Sequence, residues 1–384
     1  MLHCWTSLLC AAVACAGCTM PYGPPVLVYG GAPFQGIAGL IEQDGSKQVD
    51  VLLVHGMCTH TREHAKAAIG NLAAALDQNI LPELPRAALL PDEVDGIQIE
   101  TRTFQIGKGR VRFTALVWSP LTQALKQQLT YDRTDKPSDC AAPGDCKPIR
   151  ASINGKLKDG LLNDCLADAL IYQGDSRPAI RQKMANAITQ VIEDSQAQAL
   201  AAGLAPGSFA LVSDSLGSKI SFDALDEMTG PKVPANQRAA AESAVDRLAI
   251  IFIQANQMPI LGLADQSIDT EGRQSTQQPA GQDSLQRLLL RKSAKSSAGA
   301  AARGDGVSRL ALVAFTDPND LLSYRLLPSR YTVPGIDVAD MLVSNDSTYF
   351  GTLELPNTAH TDYPKNKNVT RLIACGSAGS VLCK

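Results

Sequence analysis

Phe209-Ala210-Leu211-Val212-Ser213-Asp214-Ser215-Leu216-Gly217-Ser218 is the stretch on which the fold turns. Its four leading apolar residues, with Ser208 before them, read as a short strand covered on both faces. They give way at once to small and polar residues, and from Ser218 to Met228 the pattern becomes helical. A chain that passes from strand to helix over so few residues needs small side chains, because the two elements approach closely there. Ser215 stands in that turn. A plainer reading is also open, since Ser and Asp are favoured helix N-caps.

The pattern around this turn decides the class. Val49-Asp50-Val51-Leu52-Leu53-Val54 is a near-continuous apolar strand. Gly96 to Phe104, Val111 to Trp118, Leu248 to Gln254, Leu310 to Thr316 and Thr348 to Leu355 read as further strands, the last closing the series. Amphipathic helical stretches fall between them, the longest over 176–202. Strands alternating with helices predict an α/β fold: a mostly parallel central sheet with helices on both faces. Two stretches break the rhythm. Residues 121–175 hold a polar, cysteine-bearing loop and the apolar helix Leu161 to Tyr172, and are expected to form a cap or lid. Residues 264–308, rich in Gln, Ser, Ala and Gly, are expected to be a flexible surface insertion. Arg303-Gly304-Asp305 within it is a tripeptide too short to carry meaning.

Composition narrows the function. The 384 residues are 45% hydrophobic and 19% charged with a formal net charge of −3, a globular profile without the basic footprint that nucleic-acid binding needs. An apolar run from Leu8 to Ala16 is too short to span a bilayer, which takes about 20 residues, and reads as the core of a secretory signal peptide over 1–17. Cys15-Ala16-Gly17-Cys18 resembles a bacterial lipobox, which implies lipidation of Cys18 after cleavage. Cys15 in place of the usual Leu, and an n-region without Lys or Arg, depart from that pattern. Residues 18–47, with the Pro- and Gly-rich stretch Pro21 to Pro33, are expected to be a lipidated N-terminus and tether leading to a domain over 48–376, with 377–384 as a tail. Thr19, rather than Asp, after Cys18 favours the outer membrane of a bacterial envelope.

Of ten cysteines, six lie beyond the anchor: Cys58, Cys140, Cys146, Cys165, Cys375 and Cys383. An even number in an oxidising compartment suggests disulfides. Cys140–Cys146 and Cys375–Cys383 would each close a short loop containing Gly, leaving Cys58 for Cys165. Zinc is the weaker rival, since no CxxC pair is present.

Chemistry gathers in four places, each beside a strand. His55-Gly56-Met57-Cys58 follows the strand ending at Val54. Ser215 follows Val212. Asp317-Pro318-Asn319-Asp320 follows Thr316, and His360 lies in Asn357-Thr358-Ala359-His360-Thr361-Asp362-Tyr363 after the last expected strand. Of five histidines only His360 lies downstream of the two aspartates. A serine hydroxyl becomes a useful nucleophile only beside a base that a third group orients, with donors aimed at the developing oxyanion. The order Ser, Asp, His with an early His-Gly loop resembles the α/β-hydrolase superfamily of serine hydrolases, and Ser213 to Gly217 resembles its GxSxG elbow with serine in place of the first glycine. The resemblance spans about residues 48–376.

It implies Ser215 as nucleophile, His360 as base, Asp320 as acid with Asp317 as the alternate, and the Met57 and Leu216 amides as oxyanion donors. Asp320 is preferred because Asn-Asp-x-x-Ser resembles the acid loop of bacterial lipases. The implied activity is cleavage of carboxylic esters, as carboxylesterase or lipase, on a small-molecule or lipid ester and without a cofactor. A thioesterase, amidase or acyltransferase would keep the same residues, and a hydrolase scaffold retained only for binding is the alternative from another class. His60-Thr61-Arg62-Glu63-His64 fits H-x-x-E-H, a zinc-peptidase pattern that needs both histidines on one helical face; a helix-surface pair is the simpler expectation.

Overall fold

Apolar runs bounded by turn residues become interior strands when helices cover both of their faces. The computed structural model describes residues 18–44, 47–76, 83–84, 90–134, 149–266, 281–303 and 309–383. Its principal strands are β1 (Val26–Tyr29), β2 (Gln48–Val54), β3 (Ile97–Ile106), β4 (Gly109–Val117), β5 (Ser208–Asp214), β6 (Leu248–Gln254), β7 (Leu310–Thr316) and β8 (Ile336–Leu342). The principal helices are α1 (Ile37–Gln43), α2 (Arg62–Leu76), α3 (Arg177–Ala201), α4 (Ser215–Met228), α5 (Ala235–Arg247), α6 (Ser284–Arg303), α7 (Pro356–Thr361) and α8 (Lys367–Cys375).

Among the described residues the central sheet has ten strands, in the order β1-β8-β7-β6-β5-β2-β4-β3, with the two-residue strands Glu83–Leu84 and Glu93–Val94 both on β3. From β8 to β4 all neighbours run parallel. The edges do not: β1 is antiparallel to β8, and β3 and β4 form an antiparallel hairpin. The molecule is therefore mixed α/β with a mostly parallel sheet. Alternation along β2 shows how each face is filled. Leu52 and Val54 join the core under α3 to α6, whereas Val49, Val51 and Leu53 join the core under α1, α2 and α8.

Four expectations need correction. Thr348 to Leu355 is not the last strand of the sheet; only Thr348–Tyr349 is extended, and it pairs with Cys18–Thr19. The strand after β7 is β8, whose apolar run is broken in sequence by Asp337 and Asp340. Asp340 is buried there against Arg325, 3.0 Å away, and the Leu326 N–H. The expected tether carries structure of its own: β1 lies within Pro21 to Pro33, and α1 buries Ile37, Ala38 and Ile41. Residues 284–303 of the expected flexible insertion form α6, whose Leu285, Leu288 and Leu289 are buried. Helical spacing of those leucines is the signal in the sequence. Finally, Leu161 to Tyr172 is not one helix: a π-helix over Leu157–Leu166 passes into an α-helix over Ala167–Gln173. Tyr172 is fully buried and its hydroxyl donates to Asp223 Oδ2 at 2.8 Å, so that end belongs to the core.

Cys58–Cys165 and Cys375–Cys383 are disulfide-bonded as expected. Cys140, Cys146 and the expected leader over 1–17 lie outside the described residues.

Candidate active site

The turn after β5 places Ser215 as the first residue of α4 with φ +51°. That left-handed conformation costs a non-glycine residue of order 1–2 kcal/mol, and two closely packed loops surround it. A Cβ at Gly217 would sit 2.2 Å from the His55 carbonyl oxygen, and one at Gly56 would sit 2.8 Å from Ser215 Cβ. Both glycines are needed for the two loops to meet. Ser213, standing where a third glycine is usual in such turns, is fully buried, and its hydroxyl accepts a hydrogen bond from Ser218 Oγ at 3.0 Å. The extra side chain is therefore housed rather than strained.

Ser215 Oγ lies 3.2 Å from His360 Nε2. The His360 Nδ1–H faces both oxygens of Asp320, at 2.9 and 3.0 Å. All three residues are buried, Ser215 at 2% exposure. Asp320 is held in turn by the Leu322 N–H at 3.0 Å and by the Tyr363 hydroxyl at 3.2 Å. The same hydroxyl accepts the Asp317 N–H at 2.7 Å, so Tyr363 joins both ends of the acid loop. Burial pushes the Tyr363 phenol well above its usual pKa, and it stays a donor. With Nδ1 donating to a carboxylate, Nε2 is left to accept from Ser215.

Asp317 and Asp320 thus have different surroundings. Asp317 Oδ1 accepts the Asn319 N–H at 2.9 Å and Oδ2 accepts the Asn345 N–H at 2.6 Å. The Glu354 carboxyl stands close to it. Burial, then the nearby Asp317 charge, push the Glu354 carboxyl up to about 7, and burial raises Asp317 too. Closely spaced acids raised in this way favour holding one proton between them. Asp317 braces the loop, and Asp320 faces the histidine.

On the other side of Ser215 is the His55–Cys58 loop. His55 is buried and its pKa is pushed well below the usual histidine range, by burial first and then by His60. It is a neutral ring that donates from Nδ1 to the Gly56 carbonyl at 2.7 Å and accepts the Trp118 N–H at Nε2, 2.9 Å away. A trans peptide points its N–H opposite to its C=O. Fixing the Gly56 carbonyl on His55 therefore turns the Met57 N–H away from that ring, in a loop whose Gly56 touches Ser215. Leu216 is the second residue of α4, so its N–H belongs to the first turn, where N–H groups have no intrahelical acceptor. The loop is fastened from outside by the Cys58–Cys165 disulfide, by Asp168 Oδ2 accepting the Cys58 N–H at 2.8 Å, and by Asp164 Oδ2 accepting the Thr59 N–H at 3.0 Å.

The H-x-x-E-H segment does not take the form that zinc binding needs. α2 begins at Arg62, so His60 precedes the helix rather than sharing a face of it with His64. His60 is packed between His55 and His64, with ring centroids 4.5 and 4.2 Å away, and Glu63 is exposed. Burial lowers the His60 pKa to about 3. Among the described residues no cluster of three His, Cys, Asp or Glu side chains is arranged to hold a metal. Tyr363, Glu354, Asp168 and the role of His55 escaped the sequence reading. Tyr363 had one available signal, standing three residues after His360. Comparison with protein-family models, with curated proteins and with solved structures gives no match to this chain.

Proposed function

We propose that this chain is a serine hydrolase of the α/β-hydrolase type that cleaves carboxylic esters. The observation that carries this reading is the hydrogen-bonded series Ser215–His360–Asp320, with its serine at a positive-φ turn between a parallel strand and a helix. The order of elements supports it. An oxyanion-type loop after β2, a nucleophile turn after the adjacent β5, an acid loop after β7 and a histidine after β8 are the placements that this fold uses.

In the mechanism, Ser215 Oγ attacks the ester carbonyl carbon while its proton passes to His360 Nε2. The carbonyl π electrons move to oxygen, where the Met57 and Leu216 N–H groups and the first turn of α4 receive the negative charge. The intermediate collapses, the C–O bond to the alcohol breaks, and His360 returns its proton to the departing alkoxide. Water then repeats the sequence on the acyl-enzyme, and Asp320 steadies the imidazolium in both halves. No step needs a metal or cofactor. We place the protein in a bacterial envelope, held through lipid on Cys18.

A fluorophosphonate probe tests the activity directly. It is expected to add to Ser215 and to no other serine, and Ser215→Ala is expected to fold normally yet lose short-chain ester hydrolysis. Full residual activity in that variant, or an unlabelled Ser215 in the parent, would refute the proposal and leave a binding module.

A further inference from the structure

Two paired segments of the chain carry exposed apolar side chains. Met20 and Leu27 in the N-terminal segment, and Tyr349, Phe350, Leu353 and Leu355 in the loop before α7, all face solvent. Phe350 is 65% exposed and Leu353 58%. The two segments are neighbours. Cys18 pairs with Tyr349 and Thr19 with Thr348 in antiparallel register, and the two threonine hydroxyls lie 2.7 Å apart. The Tyr22 N–H donates to Ser344 Oγ at 3.1 Å, extending the attachment. Such a ladder holds opposed Cα atoms about 5 Å apart, so Cys18 and this loop cannot separate far without breaking it.

The loop is shaped as a projecting turn. The Tyr349 N–H closes it on the Leu353 carbonyl at 2.7 Å, with Phe350 at φ +53° and Gly351 at φ +64°. It is also joined to the candidate active site. Glu354, next after Leu353, accepts a hydrogen bond from Asn319 Nδ2 at 2.7 Å, and the Leu355 carbonyl accepts the Ala359 N–H beside His360. On the acid loop itself, Leu321, adjacent to Asp320, is 68% exposed.

We infer that this apolar rim docks into the bilayer to which Cys18 is anchored, and that the substrate is an acyl ester taken from that membrane. The inference rests on the lipoprotein reading of Cys18 and on the ester-hydrolase reading of Ser215. Its physical content is proximity: acyl chains on Cys18 insert into the membrane beside Tyr349, which brings Phe350 and Leu353 to the same interface. Each large apolar side chain transferred from water into hydrocarbon strengthens association by about tenfold or more. A protein partner would have to cover the rim in competition with lipid held against it covalently.

The test uses the full chain, processed in a bacterial host and reconstituted into phosphatidylethanolamine–phosphatidylglycerol vesicles (3:1) with brominated acyl chains. Phe350→Trp is expected to show strong bromine quenching. Leu200→Trp, at an exposed site on α3, is expected to show none. The double substitution Phe350→Asp, Leu353→Asp is expected to slow hydrolysis of a long-chain ester embedded in vesicles at least tenfold, and to leave a water-soluble short-chain ester within twofold. Lipid-independent fluorescence at Phe350→Trp, as a protein partner for the rim would give, overturns the inference. So does an equal loss on both substrates, or an unchanged rate on vesicles. The parent readings fail separately: intact mass reports whether Cys18 carries lipid, and turnover of the soluble ester by the parent reports the hydrolase. Quenching still decides docking in either case.

Discussion

Replacing Asp320 by asparagine discriminates between the two aspartates of the acid loop. The Leu322 N–H lies 3.0 Å from Asp320 Oδ1, so the amide oxygen of the variant stays there, where a donor must be met. The NH2 then takes the place of Oδ2, facing the Tyr363 hydroxyl, which can accept, and His360 Nδ1 at 3.0 Å. That contact competes with the Nδ1–H bond that Oδ1, 2.9 Å away, can still accept, and it shifts the ring toward the tautomer protonated on Nε2, which cannot take the Ser215 proton. The charge that steadies the imidazolium is lost as well. Loss of this function in Ser-His-Asp enzymes costs about 10⁴ in kcat, which corresponds to about 5.5 kcal/mol of barrier. The paired variant Asp317→Asn is expected to behave differently. Its carboxylate accepts two backbone N–H groups, and the carboxylate that bonds His360 is that of Asp320. One of those N–H groups would lose its acceptor, at about 1–3 kcal/mol of stability, with activity reduced less than tenfold. The assay is steady-state hydrolysis of a short-chain chromogenic ester beside urea denaturation of both variants. A kcat within tenfold of the parent for Asp320→Asn, with a collapse for Asp317→Asn, would refute the assignment.

Gly56→Ala places a methyl 2.8 Å from Ser215 Cβ; shifting the loop that carries Met57 should lower kcat by about 10²–10³, the cost of one misplaced oxyanion donor, with KM little changed. An unaltered kcat would remove the Met57 loop from the mechanism. Replacing Cys58 and Cys165 by serine opens a closure spanning 107 residues and should cost about 5 kcal/mol by the chain-entropy relation, read as a lower urea midpoint. Glu354→Gln tests the shared proton. Because the folded-state pKa of Glu354 is raised to about 7, the folded protein binds more protons than the unfolded chain between about pH 4.5 and pH 7, so this group's stabilisation is lost as pH rises through that window. Glutamine keeps a donor toward Asp317, and the stability profile of the variant should be flatter over that range; an identical slope in parent and variant would argue against the shared proton. Ester hydrolysis should survive dialysis against a chelator, and an activity restored only by zinc would revive the His60/His64 reading.

Much of the architecture was legible in the chain. Continuous apolar runs marked β2, β5, β6 and β7, because strands covered on both faces carry no polar alternation. β8 was missed for the corresponding reason: Asp337 and Asp340 interrupt its apolar run, and only the tertiary structure supplies the Arg309 and Arg325 side chains that pair with them. The leucines of α6 were present at helical spacing but diluted by Ser, Ala and Gly. The segment after Cys18 read as a tether because four-residue edge strands and a seven-residue helix carry little local signal. Their stability comes from β8 and from the core they cover.

The candidate site divides along the same line. The order Ser, Asp, His and the glycines beside them are local facts, set by which residue follows which strand, and they needed no coordinates. Between Asp320 and Asp317 the sequence offered only a preference by resemblance, and the contact that separates them needs coordinates. The two stand three residues apart on one loop, and the choice depends on a histidine 40 residues further along and a tyrosine 43 residues further along. Ser215 and His360 meet across 145 residues of chain. Contacts over such separations are made by the packing of the whole sheet, which orients each loop, so no window of sequence contains them. Local pattern settled the strands and the chemistry each loop carries; the folded sheet settled which of those groups touch.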